Sequence, residues 1–308
     1  MALLFKSAPA RGAVWQRVFK ERAPEIPLRI WPDAGDPAAI RYLAAWLPPD
    51  GIMERFPNLE LIFSTGAGAD QFDLAALPPE IPLIRMLEPG IAEGMIEFVT
   101  LAALALHRHL PGYIENRSRQ CWAETPLVPA ARRRAGVLGL GWLGEAAARR
   151  LALLGFDTAG WSRGARAIDG VACYSGWAGL NAFLARTELL VCLLPLTAET
   201  RGILNAGTFA KLPRGAMLVN AGRGGHLIQA DLLEALDSGQ LSAAFLDVAD
   251  PEPLPPGHPL WAHPKIMITP HVASMTQPET AAAFVLDNIQ RHRRGLPLKG
   301  AVDRLKGY

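Results

Sequence analysis

Three short segments carry an arginine, a glutamate and a histidine at successive intervals of 29 and 19 residues. They are Asn220-Ala221-Gly222-Arg223-Gly224, the stretch from Asp247 to Pro255 that contains Glu252, and Thr269-Pro270-His271. These side-chain types complement one another. A planar guanidinium such as that of Arg223 grips a carboxylate through a two-pronged, charge-assisted fork and polarises a neighbouring carbonyl. An imidazole such as that of His271 titrates near neutrality and passes a proton to an oxygen gaining negative charge. A carboxylate such as that of Glu252 beside the ring favours the imidazolium and orients it. Reduction of a 2-oxo acid by hydride needs all three. Singly each is weak, because a lone histidine after a proline is more often structural. A source of hydride has to be visible elsewhere in the chain.

The segment Gly136-Val137-Leu138-Gly139-Leu140-Gly141-Trp142-Leu143-Gly144 supplies it, as a glycine triplet between an apolar strand and a helix. Gly139 permits the tight turn, Gly141 lets the main chain approach a pyrophosphate, and Gly144 lets the helix pack closely on the strand. The amides of Trp142 and Leu143 then open the helix, where its dipole favours an anion. The pattern predicts dinucleotide binding, against the plainer alternative of a glycine-rich packing turn. An NAD site carries Asp or Glu about 20 residues further on, for the ribose 2′-hydroxyl. Here that strand ends in Trp161-Ser162-Arg163, with Arg166 behind and no acid before Asp169. A hydroxyl and a guanidinium suit a 2′-phosphate, so NADPH is the expected cofactor, with NADH possible.

Side chains in these roles must sit at strand ends, and the chain reads as strands alternating with helices. The first hundred residues offer strands at Ala2–Lys6, Leu28–Trp31, Arg41–Ala45, Leu59–Ser64 and Leu83–Arg85. A helix over Arg11–Arg22 places Val14, Val18 and Phe19 on one face with Trp15 beside them. A long helical pattern runs from Gly90 to Leu110 and is expected to stop at Pro111-Gly112, before an aperiodic polar segment, Asn116–Glu124. Further strands are expected at Gly136–Leu140, Asp157–Trp161, Leu189–Leu194, Met217–Asn220, Ala243–Asp247 and Ile266–Ile268. Helices are expected at Gly144–Leu154, Ala230–Ser238 and Glu279–Arg294. The alternation predicts an α/β protein with parallel sheets covered by helices. Gly176-Trp177-Ala178-Gly179 has no reading at this level.

Composition narrows the classes further. The chain has 308 residues, half of them hydrophobic, and a formal charge of +2, so no strong field marks a nucleic-acid or membrane partner. The basic clusters Arg132-Arg133-Arg134 and Arg291-His292-Arg293-Arg294 read as solvated edges of elements. Cys121, Cys173 and Cys192 lack metal-ligand spacing, and Cys192 sits in an apolar run as a buried thiol. The N-terminal apolar run is too short for a signal-peptide core, and no run approaches the ~20 apolar residues of a membrane span. A cytoplasmic protein without metal is expected.

Together these segments resemble the D-2-hydroxyacid dehydrogenase family, through Gly139–Gly144, Asn220–Gly224, the Asp247 to Leu254 stretch and Thr269-Pro270-His271. Gly66-Ala67-Gly68-Ala69-Asp70 and Ala92-Glu93-Gly94-Met95 look like the substrate side of the same family. The resemblance implies two doubly wound parallel-sheet domains with an active-site cleft between them. Residues 1–101 and 279–308 would form a discontinuous, flavodoxin-like substrate domain, and residues 102–278 an inserted Rossmann cofactor domain. It implies substrate binding by Arg223, acid–base catalysis by His271 and Glu252 as the histidine's partner. It further implies cofactor contacts from Ser162, Arg163, Pro195, Ala221 and Asp247, the last at the nicotinamide end. The main chain of Ala67 and Gly68 would hold the substrate carboxylate, and Trp46 would wall the pocket. In relatives the segment around Trp122 reaches across a dimer interface, which implies a homodimer. The short first domain, Trp46 and Trp161-Ser162-Arg163 are most similar to a subgroup that reduces glyoxylate to glycolate and hydroxypyruvate to D-glycerate with NADPH. Alternatives are a dehydrogenase of a larger, phenylpyruvate-like D-2-hydroxy acid, and a dinucleotide-sensing corepressor-type protein. Gly222 departs from the alanine that many relatives have before this arginine.

Overall fold

In the computed structural model, which describes residues 1–308, the chain divides into two compact units. One comprises Met1–Ile91 with Met275–Tyr308, the other Ala92–Ser274.

The first unit is built on β1 (Ala2–Lys6), β2 (Leu28–Ile30), β3 (Ile40–Ala45), β4 (Leu61–Ser64) and β5 (Leu83–Ile84), all parallel in the order β2-β1-β3-β4-β5. This is the flavodoxin-like order, in which the chain reverses direction between β1 and β3. Leu3, Leu4, Leu43, Ala44, Leu61 and Ile62 are fully buried. Strands hidden on both faces read as unbroken apolar runs, which is why they were visible in the sequence. The helix Pro9–Arg22 is anchored by Trp15 rather than Val14: the indole is buried and lies 4.8 Å from the Phe5 ring, centroid to centroid. It packs beside the helix Pro278–Arg293, with Arg17 Nη2 3.1 Å from Glu279 Oε1.

The second unit holds β6 (Arg134–Leu138), β7 (Asp157–Ser162), β8 (Ala172–Ser175), β9 (Leu189–Cys192), β10 (Ala216–Asn220), β11 (Leu241–Leu246) and β12 (Ile266–Ile268). All seven run parallel in the order β12-β11-β10-β9-β6-β7-β8. Numbered from β6, this is the Rossmann order 3-2-1-4-5-6 with a seventh strand added. Leu189, Leu190, Val191 and Cys192 are fully buried, and burial pushes the Cys192 thiol up to about 12.

Four expectations are corrected. The strand β8 and the helix Gly176–Arg186 were not anticipated. β8 is a short, partly exposed edge strand of Ala, Cys, Tyr and Ser, and its helix opens on a glycine of φ +64°, so neither carries a clear period. The helix is tied down by Trp161, whose Nε1 donates to the Gly176 carbonyl at 2.8 Å and whose ring lies 5.4 Å from that of Trp177. Next, the long helix Pro89–His107 ends before Pro111, which instead sits in the first turn of a second helix, Leu110–Ser118. A first turn tolerates proline because its N–H has no intrahelical acceptor there. Third, Pro89–His107 is long and apolar enough by composition to cross a membrane. Its Met95, Phe98, Val99, Ala102, Ala103 and Leu106 pack into the core with Val137, Leu151 and Phe245, which accounts for its apolarity. Finally, the solvated-edge reading of Arg132-Arg133-Arg134 is incomplete: the cluster stands where β6 begins, and Arg133 and Arg134 meet Glu188 at 3.8 and 3.3 Å.

Candidate active site

The expected cofactor and acid–base residues of the second unit lie at or just beyond the C-terminal ends of β6, β7, β9, β10, β11 and β12. In such sheets ligands bind at this edge, where the strand order reverses; here the chain crosses back between β6 and β9.

The turn after β6 is shaped by its glycines. Gly139 has φ +98° and donates to the Trp161 carbonyl at 2.8 Å, and a Cβ there would lie 2.9 Å from the Leu193 carbonyl oxygen. A Cβ on Gly144 would fall 1.6 Å from the Gly139 carbonyl oxygen, so the helix Trp142–Leu153 approaches the strand this closely only with glycine. A Cβ on Gly141 would meet nothing within 4 Å. The chain leaves that space open beside a helix start that has no side-chain cap. The first-turn amides of Trp142, Leu143 and Gly144 lack intrahelical acceptors. Open space, free-facing amides and a positive helix end fit a dinucleotide pyrophosphate.

Ser162 ends β7, and its hydroxyl donates to the Gly164 carbonyl at 2.8 Å. Arg163 Nη1 lies 3.0 Å from Glu199 Oε2. The sequence reading found no acid near this arginine; the structure brings one from 36 residues away. Pro195 follows β9 and Ala221 follows β10. The Pro195 carbonyl accepts from the Thr200 hydroxyl at 2.7 Å, and the Ala221 N–H donates to the Cys192 carbonyl at 3.2 Å.

The loop after β10 is braced by the buried Asn220, which accepts from the Gly222 N–H at 3.2 Å and donates to the Arg223 carbonyl at 3.1 Å. The Arg223 N–H donates to Nδ1 of the fully buried His226 at 3.0 Å. A Cβ at position 222 would press on that same Nδ1 at 2.9 Å, which gives a physical reason for glycine there. A Cβ at Gly224 would fall 1.8 Å from the Ala249 carbonyl oxygen, so glycine lets this loop seat on the one that carries Glu252.

His271 Nδ1 lies 2.8 Å from Glu252 Oε2, and the other oxygen of Glu252 accepts from the Ala249 N–H at 2.9 Å. Burial alone would raise the Glu252 carboxyl. The His271 hydrogen bond, the Ala249 amide and the charges of His271 and Arg223 outweigh it and hold the group below the usual carboxylate range. The charge of Arg223 is the smallest of these influences on the carboxylate. His271 has φ +56°, a left-handed conformation that is uncommon outside glycine and persists only where its surroundings hold it. Asp247 enforces it. Its carbonyl accepts from the His271 N–H at 2.8 Å. Its buried carboxylate accepts from the Thr269 hydroxyl and from the Val272 and Ala273 amides at 2.6, 2.9 and 2.9 Å.

Trp46, Ala67 and Gly68 belong to the other unit, after β3 and β4. The Trp46 ring lies against Gly66, where a Cβ would come within 2.6 Å of Cζ3. Ser64 shapes the loop that follows, donating to the Gly68 carbonyl at 2.6 Å and accepting from Gln71 Nε2 at 2.9 Å.

A family model for the NAD-binding domain of D-isomer specific 2-hydroxyacid dehydrogenases matches residues 100–273. The chain belongs to this family. As a D-2-hydroxyacid dehydrogenase it is 38% identical, over the whole of both chains, to glyoxylate/hydroxypyruvate reductase A of Yersinia enterocolitica. Among solved structures it is similar to a D-isomer specific 2-hydroxyacid dehydrogenase from Xanthobacter autotrophicus in complex with NADPH and MES. That match has a TM-score of 0.94 and 42% identity, covering 100% of this chain and 99% of the other. It is also similar to an NADPH-dependent glyoxylate/hydroxypyruvate reductase from Sinorhizobium meliloti in complex with NADP and sulfate, with a TM-score of 0.92, 37% identity, and 100% and 99% coverage.

Glu199 and His226 are participants that this dehydrogenase's sequence did not single out, and Thr269 stood in the His271 motif without a role of its own. His226, three residues after Arg223, was within reach of motif reading. Glu199 and Thr269 acquire their partners only when separate strand ends converge.

Proposed function

We propose that this dehydrogenase reduces small 2-oxo acids with NADPH, glyoxylate to glycolate and hydroxypyruvate to D-glycerate. The observation that carries the reading is the His271–Glu252 pair at 2.8 Å with the charge of Arg223 acting on it, at the same sheet edge as the glycine turn. Full-length relatives named for this reaction support the substrate class. When bound, the nicotinamide supplies a hydride to the 2-oxo carbon. Arg223 holds the substrate carboxylate and polarises the carbonyl. His271, with Nδ1 on Glu252, gives its Nε2 proton to the carbonyl oxygen as that oxygen becomes an alkoxide. Asp247, besides lying toward the nicotinamide end, keeps the His271 segment in its left-handed turn. Ala67 and Gly68 offer main-chain amides to the carboxylate, and Trp46 limits the size of the 2-substituent. The unit containing β1–β5 acts as the substrate domain and the unit containing β6–β12 as the cofactor domain.

The test is steady-state kinetics over glyoxylate, hydroxypyruvate, pyruvate and phenylpyruvate with each cofactor. Highest kcat/KM for the first two with NADPH is expected. A preference for phenylpyruvate, or no turnover of any of the four, overturns the assignment. Arg163→Ala should raise KM for NADPH about ten- to a hundredfold, the value of a lost charge-assisted bond, and leave NADH nearly unchanged. Partial exposure of Arg163 favours the lower end of that range.

We further propose a homodimer formed through the surface around Trp122, which is 99% exposed and accompanied by exposed Leu101, Leu110, Ile114 and Leu127. Apolar patches of this kind mark association surfaces. Sedimentation should give twice the chain mass, and Trp122→Glu should shift it toward one; a wild-type monomer sinks the idea. Cytoplasmic residence fits Cys121, Cys173 and Cys192, none of which is in a disulfide, and cell fractionation checks it.

A further inference from the structure

We propose that Glu199 determines how strongly this site prefers NADPH over NADH, a reading that rests on Arg163 facing the 2′-phosphate. Glu199 belongs to neither the glycine turn nor the acid–base set, and it reaches the end of β7 from the turn that follows β9. That turn is rigid. The Thr200 hydroxyl donates to the Pro195 carbonyl at 2.7 Å and accepts from the Thr197 N–H at 2.8 Å, and the Arg201 N–H donates to the Thr197 carbonyl at 2.9 Å. The Glu199 side chain therefore extends from a fixed point to Arg163, with its Oε2 3.0 Å from Nη1.

The carboxylate acts on the cofactor in two opposing ways. By engaging Nη1 it holds the guanidinium at the strand end. By carrying a negative charge next to that arginine it cancels the local field and repels a dianionic 2′-phosphate, while a 2′-hydroxyl is indifferent to it. An NAD-type site rejects the phosphate with a carboxylate on the strand end itself. This chain pairs its carboxylate with an arginine at 3.0 Å, so the repulsion is attenuated rather than removed. The preference for NADPH is thereby set below what Arg163 alone would produce.

Glu199→Gln separates the two effects, because the amide oxygen still accepts from Arg163 and only the charge is lost. KM and Kd for NADPH should fall about two- to fivefold, the range of an exposed ion-pair interaction, with NADH unchanged. The gain should shrink as salt rises and the Debye length falls below about 8 Å. It should persist when the double variant Arg163→Ala/Glu199→Gln is compared with Arg163→Ala, because no arginine then attenuates the repulsion. Both residues are exposed, and equal thermal midpoints will show that the fold is intact. If Arg163→Ala is selective for NADPH while Glu199→Gln leaves NADPH binding unchanged or weaker, this proposal alone is overturned. If Arg163→Ala weakens both cofactors equally, the NADPH reading fails first and takes the proposal with it.

Discussion

Arg223→Ala is expected to lower kcat/KM for a 2-oxo acid by about 10³-fold or more. A charge-assisted bond to the substrate carboxylate contributes about 1.5–3 kcal/mol, one to two decades, and stabilisation of the developing alkoxide contributes about two to three further decades. The losses fall on different parameters, carboxylate binding on KM and polarisation on kcat, so both should change. Arg223→Lys keeps the charge but not the planar fork and should recover part of the binding and little of the orientation. NADPH affinity, measured by fluorescence without substrate, should be unaffected, because the cofactor contacts proposed here do not include this guanidinium. Its Nη1 donates to the adjacent Gly222 carbonyl at 2.8 Å, and the loop itself is braced by Asn220 and His226. Wild-type kcat/KM in Arg223→Ala would remove the residue from the mechanism.

His271→Ala should lower kcat by about 10²–10⁴, the usual value of a positioned general acid. Glu252→Gln tests the pairing more sharply, through pH. Reduction requires the protonated imidazole, and a neighbouring carboxylate favours that form. The neutral amide removes that charge, so kcat for reduction should fall. The pH dependence follows from the carboxylate. Burial opposes ionisation of Glu252, but the His271 hydrogen bond, the Ala249 amide and the nearby charges prevail and hold its carboxyl below the ordinary value of about 4.3. The carboxylate therefore keeps its charge through the neutral range and loses it only as pH falls through that lowered value, a step that Glu252→Gln should remove from the acid limb of the pH–rate profile. An acid limb unchanged in Glu252→Gln would mean that another group partners the histidine.

Much of this protein is local and was legible in one dimension. Strands such as Ala2–Lys6 and Leu189–Cys192 are buried on both faces, so burial writes itself as continuous apolar runs. The positions of Gly139 and Gly144 follow from steric limits a few residues apart, a positive φ and a 1.6 Å approach, that no other residue type meets. Arg223, Glu252 and His271 could be picked out because each follows a strand, and parallel strands deliver all their C-terminal ends to one edge.

What tertiary structure alone decided is which of those ends become neighbours. The edge strand β8 has too little periodicity to announce itself and exists because β7 offers it an open ladder. Glu199 meets Arg163 because β9 returns to pair with β6, whose other neighbour is β7, and Asp247 meets Thr269 and the amides of Val272 and Ala273 because β12 docks on β11. The left-handed turn of His271 is likewise imposed from outside its own segment, by a carboxylate 24 residues earlier. Local propensity acts over a few residues, whereas hydrogen bonds and ion pairs act across whatever distance in sequence the sheet order closes. The residue types needed for the chemistry could therefore be read from the sequence, while the partners that orient and tune them became visible only once the strand order was in place.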